Sequence, residues 1–179
     1  AIYSDKKDCL KRECDLLNIH DTYSRIKLLA ENTLNHSNNI VLRLSNVYGE
    51  GMSKNNVISD IISQLNKKES IKLNSLNPIR DFIYIDDVVR GFIAAINSQD
   101  GGLYNLGSGV GTSIKSLAKK ILEIDNQKGR EVISTRTSNF VSSNIRLDIT
   151  HICNIMAWSP EVSLDIGLKK LLLKRNNYE

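Results

Sequence analysis

The chain has little of several things, and each shortage narrows its class. Two prolines and ten glycines among 179 residues are too few for a collagen-like or low-complexity chain. Three cysteines, Cys9, Cys14 and Cys153, form an odd set without metal spacing. They exclude a disulfide scaffold and point to a reducing, cytoplasmic setting. His20, His36 and His151 are scattered and suggest no metal site. No apolar run approaches the ~20 residues of a membrane span. No basic-then-apolar leader opens the chain, which argues against secretion. The charge excess is small, 24 basic against 20 acidic residues for a net +4. The densest basic run, Lys169, Lys170, Lys174 and Arg175, alternates with leucines. It reads as the solvated face of a last helix, not as a nucleic-acid footprint. What is present is ordinary for a globule: 41% apolar and 25% charged residues, on a length that suits one domain or two very small ones.

The apolar pattern alternates between two periods. Residues 4–20 are polar and read as a loop. Ile26, Leu29, Ala30 and Leu34 mark one face of a helix over 22–36, with Asp21 or Thr22 as its cap. Residues 40–47 (IVLRLSNV) are β-branched and nearly continuous, as in a buried strand. Helices are expected over 56–67, from an Asp86 cap through 97, over 113–124, over 149–157 and over 164–174. Ser163 is the expected cap of the last of these. In the helix after Asp86, Val88, Val89, Phe92, Ile93 and Ile96 are assigned to the inward face. Strands are expected at 71–73, 81–85, 103–106 and 131–135, with a polar loop at 138–144. Alternation of strand and helix argues α/β. No internal repeat or interdomain linker is evident.

Residues 107–111 read Gly-Ser-Gly-Val-Gly between a strand and a helix, the place for a dinucleotide-binding turn. The fit fails in detail, because Thr112 stands where a third glycine permits close helix packing and Glu131 begins a strand instead of ending one. A glycine-rich strand-to-helix turn is the preferred reading.

Tyr23 and Lys27 form Y-x-x-x-K and share a helix face. A free phenol has a pKa near ~10, and an adjacent ammonium favours the phenolate. Such a pair can shuttle protons, although the motif also arises by chance on surface helices.

Five segments in order then give a resemblance. Tyr23 to Glu31 (YSRIKLLAE) resembles Y-x-x-S-K-x-x-x-E. Residues 42–49 (LRLSNVYG) resemble R-x-x-N-V-Y-G, and 80–88 (RDFIYIDDV) resemble R-D-F-I-H-V-D-D-V. Residues 104–109 (YNLGSG) resemble Y-N-I-G-S-G. The region from Asp148 through Leu168, with Trp158-Ser159-Pro160, resembles a closing G-W-x-P…L-E-E-G-L. Together these are similar to the extended short-chain dehydrogenase/reductases, specifically their NAD-dependent nucleotide-sugar epimerases and dehydratases. Tyr84 stands for the usual histidine, Ser4 for a glycine, and Ala157 for the glycine before tryptophan.

The resemblance implies an α/β fold: the C-terminal part of a Rossmann-like enzyme plus its small mixed α/β substrate-binding domain. Residues 1–52 would be a Rossmann remnant carrying the Y-x-x-x-K helix and the following strand. Residues 53–179 would be the substrate-binding region, some segments returning to the Rossmann sheet. The family's catalytic Ser or Thr would precede Ala1, so the chain is expected to be a C-terminal portion, with weak or absent NAD binding alone.

By the same resemblance Tyr23 is the general base and Lys27 its partner, both touching the cofactor, and backbone near Leu44 approaches the nicotinamide. Asn46, Arg80 and Arg136 contact the nucleotide sugar, and a homodimer forms through the Tyr23–Lys27 helix. Asp86 and Asp87 read as helix-start charges and Trp158 as packing. Loss of the cofactor half would leave, as the alternative, a non-catalytic nucleotide-sugar-binding or dimerisation module.

Overall fold

A computed structural model describes residues 2–4, 9–34, 38–136 and 143–175. In chain order the elements are β1 (Leu10–Lys11), α1 (Thr22–Thr33), β2 (Ile40–Leu44), β3 (Asn46–Tyr48), α2 (Val57–Ser63), β4 (Ile71–Leu73), β5 (Ile79–Tyr84) and α3 (Ile85–Asn97). There follow β6 (Gly102–Leu106), β7 (Gly111–Ser113), α4 (Ile114–Ile124), β8 (Val132–Ser134), β9 (Asn144–Leu147), α5 (Thr150–Met156) and α6 (Leu164–Arg175).

Helix starts follow the residues that can cap them. The Asp21 carboxylate accepts from the Ser24 N–H at 2.7 Å and from the Ser24 hydroxyl at 2.6 Å. These bonds hold its carboxyl below the usual range. Asn56 accepts from Ser59 N–H at the start of α2, and Ser113 from Ser116 N–H at the start of α4. At α6 the Ser163 hydroxyl accepts from Ile166 N–H at 3.4 Å. Each supplies an orphan donor of the first turn with a partner. Asp86 is not a cap. The helix begins one residue earlier, with Tyr84 at the cap position and no side-chain capping bond. Asp87 instead lies fully buried, accepting from the N–H groups of Glu161 and Val162 and from Arg90.

The strands are joined mainly in parallel. A five-stranded sheet runs β1-β9-β5-β3, with β7 added antiparallel to β5; β2 pairs with β6 and β4 with β8. Parallel neighbours need crossovers, which the helices provide. Alternation along β5 feeds two cores. Phe82 and Tyr84 join Ile58, Ile61, Leu117 and Ile121 in the larger one, while Ile83 joins Leu106, Ile152 and Trp158 in the other. Trp158 is buried, its Nε1 donating to the Asp87 carbonyl at 3.2 Å.

Several expectations change. The strand over 40–47 is half-buried and divides at Ser45, where its partner switches from β6 to β5. α1 presents Ile26, Leu29, Ala30 and Leu34 to solvent, and only Ser24 of that helix is buried. α3 buries Asp87, Val88, Gly91 and Ala95, whereas Val89, Phe92, Ile93 and Ile96 are exposed. Small residues face inward because the sheet approaches closely: a Cβ on Gly91 would lie 2.2 Å from Leu106 Cδ1. β1, β7 and β9 are additional strands. Lys169 and Lys170 are exposed on α6, while the side chains of Lys174 and Arg175, the helix end at 35–36 and loop residues 138–142 lie outside the described residues.

Candidate functional site

The C-terminal ends of parallel strands in open α/β sheets are where ligands gather. A cleft of about 1280 Å³ reaches that edge only at β3, where Tyr48 leads into Gly49–Gly51, and otherwise runs alongside the first half of β5, at Pro78, Arg80 and Phe82. Its floor includes Asn46 and Phe82, its rim the Gly49–Gly51 turn, and its far wall Leu73, Asn74 and Ser75 at the end of β4. Among the described residues Glu50, Lys54, Asp60 and Arg80 are its charged lining groups.

Asn46 and Arg80 are thus brought into one wall. The Asn46 amide donates to the Asp81 carbonyl at 2.9 Å, tying β3 to β5. Arg80 Nη1 donates to the carbonyls of Ile79 and Ser143 at 2.8 and 3.0 Å. These two backbone carbonyls hold the guanidinium in place. Tyr23 and Lys27 lie elsewhere, exposed on α1, with Lys27 Nζ 5.6 Å from the Tyr23 ring centroid. Leu44 ends β2, packed against the smaller core. Arg136 is exposed just past β8, whose partner β4 ends at the cleft. The loop residues Glu50, Lys54 and Asn55, and Asn74 and Ser75 across the cleft, were not singled out from sequence. The available signal was the glycine break directly after the strand at 40–47.

A polar network fixes α1 against the sheet. Arg43 grips Glu31 two-handed, Nη2 to Oε2 at 2.7 Å and Nε to Oε1 at 3.1 Å. Its Nη1 donates to Tyr3 Oη at 2.9 Å, and Tyr3 donates to Asn105 Oδ1 at 2.5 Å. Burial, partly offset by the Arg43 guanidinium, pushes the Tyr3 phenol up to about 12. Glu31 sits one turn after Lys27, so the grip sets the rotation of the helix that carries Tyr23 and Lys27.

The glycine turn at 107–111 is already committed. Ser108 N–H and Oγ donate to Asp81 Oδ1 at 2.8 and 2.7 Å, and Gly109 N–H to Oδ2 at 3.0 Å. Gly109 has φ +72°, which glycine adopts without strain. The turn's anion is an internal carboxylate, and Gly111 belongs to β7.

Residues 1–107 match the model of the NAD dependent epimerase/dehydratase family. The dTDP-4-dehydro-6-deoxyglucose reductase of Escherichia coli is 31% identical over 93% of this chain and 56% of its own length. A CDP-abequose synthase of Salmonella muenchen is 30% identical over 74% of this chain and 46% of its own. The chain thus spans about half the length of these curated relatives. The crystal structure of a Thermotoga maritima UDP-glucose 4-epimerase with UDP-glucose is 27% identical. It covers 100% of this chain and 62% of that one, with a TM-score of 0.85. A Bacillus cereus UDP-glucuronic acid 4-epimerase held with UDP-glucuronic acid and NAD shares the fold, at TM-score 0.85 and 23% identity over 99% of this chain and 59% of that one.

Proposed function

We propose that this chain, which belongs to the NAD-dependent epimerase/dehydratase family, is the substrate-side part of a nucleotide-sugar epimerase, dehydratase or reductase. The observation that carries the reading is the cleft along β3 and the first half of β5, with Asn46 and Arg80 in one wall. Arg80 suits a diphosphate, since guanidinium forks match phosphate oxygens. Arg136 supplies a second charge from the end of β8. Asn46 keeps its amide plane fixed by Asp81 and offers the sugar a neutral polar contact.

The residues present fit the nicotinamide end of NAD. Tyr23 and Lys27 lie side by side and open to solvent on α1, a donor set suited to a ribose and a reacting hydroxyl. When bound, NAD supplies the hydride acceptor or donor. Tyr23 would take a proton from a sugar hydroxyl, Lys27 would keep its ammonium beside that phenol, and backbone near Leu44 would approach the nicotinamide. The commitment of the glycine turn to Asp81 favours a second reading, a nucleotide-sugar-binding module without its own pyrophosphate cradle.

Exposed Ile26 and Leu29 make α1 the proposed homodimer face. The absence of any helix long and apolar enough to cross a membrane, among the described residues, is compatible with a cytoplasmic enzyme. The direct test is Tyr23→Phe in the enzyme that carries this segment. Turnover is expected to fall by at least about 100-fold, the scale of a lost general base, with nucleotide-sugar affinity kept. Retained turnover sinks the assignment.

A further inference from the structure

A surface helix ordinarily docks through an apolar stripe, and α1 does not. Ile26, Leu29 and Leu34 face solvent. The stripe turned inward is Ser24, Leu28 and Glu31, with one apolar side chain among three. Most polar ties of the helix run to its own ends: Ser24 to the Asp21 cap, Thr33 to the Leu29 carbonyl, and Asn39 to the Leu34 carbonyl. Among the described residues, the fork of Arg43 on Glu31 is the one side-chain hydrogen-bonded link between α1 and the sheet.

That fork is braced from behind. Side chains alternate along a strand; Leu42 and Leu44 of β2 pack into the smaller core, and Arg43 faces α1. Its side chain is 9% exposed and that of Glu31 16%. Nη1 donates to Tyr3 Oη at 2.9 Å and to the Glu13 carbonyl at 3.1 Å. Tyr3 bonds Asn105, whose amide donates to the Lys11 and Asp148 carbonyls. All three guanidinium nitrogens are engaged, so the group has no freedom to swing. Buried ion pairs add little net stability over apolar side chains of like volume. What a two-bonded fork adds is a fixed distance and a fixed plane.

The helix converts that fixed plane into a rotation. At about 100° per residue, Ser24 lies about 20° from Glu31 around the axis, in keeping with its burial. Lys27 lies about 40° from Glu31 and Tyr23 about 80°, both on the other side. The pair therefore stands at the border between the sheet-facing and solvent-facing surfaces of α1. A turn of about 20° moves a side-chain tip about 6 Å from the axis by about 2 Å. A misplacement of about 1 Å can cost a reaction about 100-fold.

We infer that Arg43 is a positioning residue: its fork on Glu31 fixes the rotation of α1 and so aims Tyr23 and Lys27 as one pair. The inference rests on the proposed nucleotide-sugar reading, in which Tyr23 takes the proton, and adds the residue that sets its direction. Arg43 acts through Glu31 and not on the substrate.

The test is kinetic and uses the enzyme that carries this segment, with NAD and UDP-, dTDP- or CDP-glucose, the nucleotides named for the matched relatives. Arg43→Lys keeps the charge and gives up the fork. Glu31→Gln keeps the volume and leaves the Arg43 bonds to Tyr3 and Glu13 in place. Each is expected to lower kcat about 10-fold to 100-fold with KM kept within about twofold. The double variant is expected to lose no more than the worse single, because both break one contact. A lower melting temperature with kcat of the folded enzyme unchanged means that the pair only holds the fold, and overturns the proposal. A raised KM with kcat kept means a binding contact, and overturns it as well. Unchanged kcat in both single variants, with Tyr23→Phe inactive, overturns the Arg43 assignment alone. Full turnover in Tyr23→Phe, or a wild-type enzyme inert on all three nucleotide sugars, overturns the nucleotide-sugar reading and this role together.

Discussion

Ala157 ends α5 with φ +47° and ψ +34°, the left-handed region. A β-carbon there costs roughly 1–2 kcal/mol, which glycine avoids. The resembled family has glycine at this point, so the sequence marked the position before the backbone explained it. Ala157→Gly is expected to stabilise the chain by about 1 kcal/mol, raising the melting temperature by about 2–4 °C. A calorimetric scan checks this, and a fall in melting temperature contradicts the strain. Two buried phenols give a further expectation at the same scale. Burial pushes Tyr3 up to about 12 and Tyr48 higher still. Their folded pKa values exceed the unfolded value near ~10, so the folded state holds its protons longer. Their contribution is complete below about pH 10 and is lost as pH rises through the folded values. Thermal scans should show melting temperature falling steeply above about pH 10. Tyr48→Phe, which gives up only a 3.3 Å bond to the Leu164 carbonyl, should flatten that fall; an unchanged slope contradicts the account.

Among elements, the caps and periodic helices were readable because their signals are local. Asp21, Ser113 and Ser163 each stand directly before an apolar repeat. The short strands were not. β7 is three residues, Gly-Thr-Ser, with no apolar alternation to read, and it exists because β5 offers an edge. β9 begins at Asn144, inside a stretch that composition marks as loop. Burial was also misread on two helices. Their apolar stripes predict an inward face, yet α1 and α3 turn Ile26, Leu29, Phe92 and Ile96 outward. Periodicity shows that a face is apolar and cannot show what covers it. For α1 the proposed cover is a second copy of the chain. Leu29→Glu, 68% exposed in the monomer, is expected to convert a dimer to monomer in sedimentation equilibrium without lowering the melting temperature of the monomer. A wild-type chain that sediments as a monomer at about 100 μM contradicts the dimer.

At the scale of the whole molecule, the α/β class and its family were legible because five short motifs keep their order along the chain. The site was legible only in part. Asn46 and Arg80 were named from motifs and line one cleft. Tyr23 and Lys27 lie on a helix outside that lining. The opposite wall, Asn74 and Ser75, comes from a strand whose pairing with β8 joins residues about sixty positions apart, a distance no local pattern reports. The glycine turn shows the converse: its place between strand and helix invites a phosphate, its spacing does not fit one, and the fold gives it Asp81.

The central claim is that the cleft along β3 and the first half of β5 takes a nucleotide sugar. The most direct measurement is amide chemical-shift mapping of this 20.1 kDa chain titrated with UDP-glucose. Saturable shifts are expected at Asn46, through the Gly49–Gly51 turn, at Asn74 and Ser75, and at Arg80. Shifts that cluster on the outer faces of α3 and α6, or no saturable shifts at millimolar ligand, would contradict it.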